Sequence, residues 1–178
     1  QWEAWAARAN VLPLGGWRAD GAFSKETHFA LKNGAHLERS RAPAVAGRAF
    51  TITAHFNAKA PDGVIVAQGG SNHGYALFLD GGQLTFLVRV GGQAAAITST
   101  QAVTGAHTAV ARLAADGTMI LTLDGQPAAR GQAPGLLTTM PTDGLDVGSD
   151  KGGRVGPYQG ANPFRGTIES VVIQLEGA

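Results

Sequence analysis

Apolar and polar residues alternate with a period of two through most of this chain, and a helical period appears only at its start. Phe50, Ile52, Ala54 and Phe56 alternate with Thr51, Thr53, His55 and Asn57, the pattern of a strand with one buried face. Tyr75, Leu77 and Leu79 alternate with Ala76 and Phe78. Asp80-Gly81-Gly82-Gln83 then turns the chain into Leu84, Phe86, Val88 and Val90. Further strands are predicted at Ala95–Thr98, His107–Leu113 and Met119–Leu123, with turns at Gly91-Gly92, Asp116-Gly117 and Asp124-Gly125. The closing run, Thr167–Leu175, carries Ile168, Val171, Ile173 and Leu175, and the three-residue step after Ile168 predicts a β-bulge. The stretch 148–163 reads as a long glycine-rich loop.

These signals give about ten to twelve short strands with no strand–helix–strand alternation. The fold they predict is all-β, with two antiparallel sheets packed face to face. The strand 167–175 is expected to pair near 26–32 or 49–57, closing one sheet with both ends of the chain. Phe50, Ile52, Phe56, Leu77, Leu84, Phe86, Leu121, Ile168 and Ile173 are the expected core.

Residues 1–10 are the exception. Trp2, Trp5, Ala6 and Ala9 fall on one face of a short helix, which Asn10 and Pro13 end. A helix this short needs a surface to dock on. That surface is either a partner polypeptide or the back of the sandwich. The expected organisation is therefore a helix and extended linker over 1–25, followed by the sandwich over 26–178.

Composition narrows the function classes. The 178 residues are 44% hydrophobic and 15% charged, enough to build a core. Twenty-six scattered glycines suit many tight turns. A net charge of +1 without a basic stripe argues against nucleic-acid binding. No apolar run approaches a membrane span, and the absence of cysteine removes disulfides, thiol catalysis and thiolate metal sites. The five histidines never fall at metal-binding spacing, and G-x-S-x-G is absent. Glycoside hydrolysis needs paired carboxylates across a groove, and Glu169 is the one acid expected within a strand.

Three segments carry a family resemblance. WEAWAARANVLPLGGWRAD (2–20), PDGVIVAQGGSNHGYALFLDGGQLTFLV (61–88) and GLDVGSDKG (144–152) with PFRGTIESVVIQL (163–175) resemble the C-terminal region of bacterial arylsulfatases. The last piece is also similar to the closing strand of laminin G-like domains, through Phe164, Gly166, Ile168, Val171 and Ile173. The resemblance implies a concanavalin A-like or laminin G-like jelly roll that lacks the sulfatase core, whose C/S-x-P-x-R motif is absent. It further implies a non-catalytic accessory domain packing on a sulfatase-like partner through Trp2, Trp5, Ala6 and Ala9. A periplasmic or extracellular parent goes with that reading.

The alternative is a carbohydrate-binding, lectin-like module. Its candidate ligand residues are Trp17, Asn72, His73, Tyr158 and Asn162, a set of aromatic platforms and amides. An enzyme on the same fold is the third reading. No cofactor is required by any motif. Asp146 and Asp150, four apart in a glycine-rich segment, are candidate calcium ligands, with turn capping as the competing role. Asp80, Asp116 and Asp124 precede glycines and are expected to serve their turns. The chain alone should release no sulfate from aryl sulfate esters, because it has no nucleophile–base pair for the task. Turnover above a heat-killed control, in a preparation free of other polypeptides, would contradict this.

Overall fold

The computed structural model describes residues 23–158 and 160–176. The expected helix over 1–10, with Trp2, Trp5, Ala6 and Ala9, lies outside them, as does Trp17. Among the described residues there is no helix, and so none long and apolar enough to cross a membrane.

Twelve strands alternate with turns: β1 (His28–Leu31), β2 (His36–Leu37), β3 (Ala49–Ala58), β4 (Gly63–Gly69), β5 (Gly74–Asp80), β6 (Gln83–Val90), β7 (Gln93–Ala102), β8 (Gly105–Leu113), β9 (Thr118–Leu123), β10 (Gln126–Gln132), β11 (Leu145–Val147) and β12 (Gly166–Glu176). They form two six-stranded sheets, ordered β1-β12-β3-β8-β9-β10 and β2-β11-β4-β5-β6-β7. Neighbouring strands run antiparallel throughout.

The closing strand pairs with both candidates at once. Ile173 of β12 stands opposite Phe29 of β1 on one side and Ile52 of β3 on the other. The register shifts between Ile168 and Ser170, where the broken alternation predicts a bulge. The extra residue lets Ile168 and Val171 both face the core, 3% and 0% exposed.

The sheets meet through aromatic and branched side chains. Phe50 of β3 lies 4.7 Å from the Tyr75 ring of β5 and meets Phe86 of β6 edge-on at 6.5 Å. All nine expected core residues are buried. The Tyr75 hydroxyl is inside this core, where it donates to Gln68 Oε1 at 2.6 Å, while Gln68 Nε2 donates to the Pro43 carbonyl at 2.9 Å. Each of these buried polar groups thus has a partner, which its desolvation demands. Burial pushes the Tyr75 phenol far above its ordinary pKa.

The second sheet departs from a one-sided strand pattern. Every residue of β4, and all of β5 except Asp80, is buried. Tyr75, Leu77 and Leu79 face the main core, while Ala76 and Phe78 join Val64, Ala67, Leu87 and Val155 in a separate apolar cluster. This second cluster lies on the outer face of the sheet, and Val155 places the 148–163 loop over it. The apolar residues on both parities of β5 record that double burial. Acids within strands are also more numerous than Glu169 alone. Asp80 ends β5, Asp146 lies in β11 and Glu176 ends β12, because glycine and proline context marks turns more clearly than three-residue strands.

Phe86 is fully buried between the sheets. Phe86→Ala should cost about 3–5 kcal/mol of stability in chemical denaturation, through lost contacts and the cavity left behind. A loss under about 1 kcal/mol would mean that the inter-sheet packing is not as described.

Candidate functional site

The 148–163 loop crosses the outer face of the second sheet and builds two openings there. Its N–H and C=O groups tie it to the sheet at both ends. Gly148 donates to the Ile65 carbonyl at 2.8 Å and the Asn162 carbonyl accepts the Val64 N–H at 2.9 Å, while Phe164 donates to the Gly148 carbonyl at 2.9 Å and Asp150 to the Ala161 carbonyl at 2.8 Å across the loop itself. Between these anchors Asp150 is buried, 3% exposed. Its Oδ2 accepts the Val155 N–H at 2.9 Å and the Tyr158 hydroxyl. Burial lifts the Asp150 carboxyl above the usual range, the two hydrogen bonds counter part of that rise, and the charges of Asp146 and Asp143 add to it. Burial and the Asp150 charge together push the Tyr158 phenol well above its ordinary value.

The Tyr158 ring meets Phe78 edge-on at 5.0 Å. It also lies over Gly156, where a Cβ would stand 2.5 Å from Tyr158 Cε2. Glycine there is a requirement of the ring's position rather than of the backbone alone. Beside the ring opens a cleft of about 350 Å³, lined by Asp62, Phe78, Leu79, Asp80, Pro157, Tyr158 and Asn162. Asp62 Oδ1 accepts the Gly81 N–H at 2.9 Å. The turn after β5 is therefore closed by Asp62, not by Asp80. Among the described residues the side chains of Asp80 and Asn162 have no hydrogen-bond partner. Asn162 holds its place with a φ of 44°, in the left-handed region that asparagine tolerates.

The sequence-based candidates divide accordingly. Tyr158 and Asn162 come together in the cleft. Asn72 and His73 lie on the turn between β4 and β5. The His73 ring is engaged there, since Nε2 accepts the Gly91 N–H at 3.3 Å and lies 3.0 Å from Thr138 Oγ1. Asp146 and Asp150 are adjacent but face protein donors. Asp146 Oδ1 is 2.7 Å from His36 Nδ1, and its Oδ2 accepts the Lys151 N–H at 3.2 Å. Hydrogen bonding to Asp146 raises the His36 pKa despite some desolvation. Among the described residues no group of three or more His, Asp or Glu side chains is arranged to hold a metal ion. Asp116 serves its turn, accepting the Thr118 N–H at 2.9 Å, whereas the Asp124 carboxylate reaches across to β8, accepting the Thr108 N–H at 2.8 Å and lying 2.6 Å from His107 Nδ1.

Asp62, Asp80 and Phe78 are absent from the sequence-based candidates. Asp80 is hidden by its D-G context, which reads as turn chemistry. Asp62 is remote in sequence and reaches the cleft only through the pairing of β4 with β5.

A family model for the concanavalin A-like lectin/glucanases superfamily matches residues 31–174. The chain belongs to this superfamily. No curated protein matches it. Among solved structures, the CBM40 of Ruminococcus gnavus IT-sialidase, bound to α2,3-sialyllactose, superposes with a TM-score of 0.61 at 16% identity, over 84% of this chain and 89% of that one. Domains LG4-5 of the mouse laminin α1 chain give 0.59 at 18% identity, over 85% of this chain and 42% of that one. The leech intramolecular trans-sialidase gives 0.57 at 15% identity, over 84% of this chain and 25% of that one. At these identities the likeness is one of fold. The chain thus spans less than half of the laminin fragment but nearly all of the bacterial module.

The raised Asp150 pKa has a pH signature. The native state binds a proton that the unfolded chain does not, between the ordinary carboxyl value of 3.8 and the raised one. Wild-type stability from this group therefore increases as pH falls through the raised pKa, and levels off below 3.8. Asp150→Asn removes the titration. The stability of that variant relative to wild type should increase as pH rises across the window, as measured by denaturation at each pH. A difference independent of pH would show that Asp150 is not desolvated.

Proposed function

We propose that this domain is a non-catalytic, carbohydrate-binding module that holds a saccharide in the Tyr158 cleft. The observation that carries the reading is the lining of that cleft. An aromatic ring stands beside two carboxylates and an amide, with the polar groups of Asp80 and Asn162 unengaged. Sugars present apolar C–H faces that pack on a ring, and hydroxyls that donate to carboxylates and exchange hydrogen bonds with amides. The ring is held by the Asp150 bond and the Phe78 edge, so little side-chain freedom is lost on binding. The CBM40 likeness supports this reading, and the superfamily, which takes in both lectins and glucanases, accommodates it. A periplasmic or extracellular setting fits it.

An accessory position beside a sulfatase-like catalytic domain rests on the three sequence segments that resemble arylsulfatase C-terminal regions. The two readings are compatible, since a glycan-binding module can serve a neighbouring hydrolase by holding its substrate close. Association of the full chain with a sulfatase core in a pull-down, lost on deletion of 1–10, would support that placement.

The cleft itself is tested by Asp80→Ala and Asn162→Gly. The first removes an exposed, unpartnered carboxylate, and the second keeps the left-handed backbone while deleting the amide. Each should weaken binding to the best ligand from a glycan array by about tenfold, and leave stability within about 0.5 kcal/mol of wild type. Binding unaffected by both substitutions would place the saccharide elsewhere.

A further inference from the structure

A second opening of about 450 Å³ lies beside the tyrosine cleft, lined by Ser71, Arg89, Arg154, Gly156 and Pro157. Pro157 lines both openings, so they are neighbours across the loop segment 154–158. Arg89 projects from the outer face of β6, on the same parity as Leu87 of the outer apolar cluster. Its Nε donates to the Val155 carbonyl at 2.8 Å and its Nη1 to the Gly92 carbonyl at 3.2 Å. Arg154 Nη1 donates to the Tyr158 carbonyl at 2.9 Å.

Every one of these acceptors is a backbone carbonyl. A carbonyl orients a guanidinium without neutralising it, and among the described residues neither arginine forms an ion pair. The acid next to this loop, Asp143, accepts the Gly153 N–H on its Oδ2 at 2.6 Å. Each guanidinium has five N–H donors, so both retain free ones. Two uncompensated cations that line one opening repel each other, and a bound anion relieves that repulsion.

We propose that this opening takes the anionic group, a carboxylate or a sulfate ester, of an acidic saccharide whose neutral part occupies the Tyr158 cleft. The inference rests on the saccharide reading above and adds its ligand class. Carboxylate and sulfate both match the planar fork of arginine, and the exposed Ser71 adds a hydroxyl donor. The neighbouring tyrosine cleft carries Asp62 and Asp80, which would repel a polyanion extended from the arginines across it. One discrete negative charge beside neutral hydroxyls satisfies both openings together.

The test is an array of neutral, carboxylate-bearing and sulfated glycans, followed by calorimetry on the best ligand and on its counterpart lacking the anion. The acidic glycan should bind at least about tenfold tighter than its neutral counterpart, with the preference shrinking as salt is raised. The carboxylate and sulfate arms identify which anion is taken. Arg154→Gln should abolish the preference while leaving the melting temperature unchanged, since Arg154 is exposed. Arg89→Gln should do the same, and Arg154→Gln decides the matter where the loss of the Val155 anchor unfolds the loop. Neutral glycans bound as tightly as acidic ones, or a preference that survives Arg154→Gln, would overturn the anion inference and leave the saccharide reading standing. Failure to bind any glycan would overturn both. Sodium sulfate bound as tightly as the sulfated glycan would overturn the saccharide part of the proposal.

Discussion

Asp150 Oδ2 receives the Val155 N–H and the Tyr158 O–H from the same loop in which Asp150 lies, and this knot sets the outer surface of the second sheet. Val155 completes the apolar cluster above β4, β5 and β6 through its side chain, and its carbonyl fixes Arg89. Tyr158 walls one cleft, and its carbonyl holds the arginine of the other. A buried carboxylate is costly unless it is hydrogen-bonded, so the loop and its acid stabilise each other or neither is ordered. Both clefts therefore stand or fall with one side chain that lines neither of them.

The two sheets use their outer faces differently. β3 and β8 present Thr51, Thr53, His55, Thr108 and Arg112 outward, a solvated surface that needs no cover. The central strands of the other sheet present Val64, Ala67, Ala76, Phe78 and Leu87, an apolar patch that water would penalise. These residues are buried beneath the loop, and the loop's edges are where the ring, the carboxylates and the arginines emerge. The proposed binding surface is thus a by-product of covering the sheet. Function on a rigid scaffold is commonly carried by such a loop.

What the sequence made legible follows from the range of each signal. Alternation in 50–56 and 84–90 is local, so the strands and their buried faces could be read directly, and even the bulge after Ile168 shows in the spacing of apolar residues. The clefts join residues far apart in the chain. Asp62 meets Asn162, and Ser71 meets Arg154, only because β4 lies beside β5 and the loop folds back across both. Tyr158 and Asn162 stood out because aromatic and amide groups in a glycine-rich loop have few structural duties. Asp80 and Arg89 did not, because Asp80 imitates a turn residue and Arg89 has the pattern of an ordinary solvated strand position. The many glycines of 148–163 suggest slack, yet Gly156 and Gly153 are sites where the Tyr158 ring and the Asp143 carboxylate pack too closely for a side chain.

The pairing of β1 with β12 places the start and finish of the sandwich side by side, with the Leu175 N–H bonded to the Thr27 carbonyl at 2.8 Å. Tension applied through the flanking chain would reach this ladder end-on. It would open the four β1–β12 residue pairs in succession, like a zipper, rather than shearing them all together. The first strand would peel away under modest load, while the loop and its clefts, on the opposite sheet, stayed intact. Extension of the chain at that edge would therefore leave the shape of the clefts unchanged.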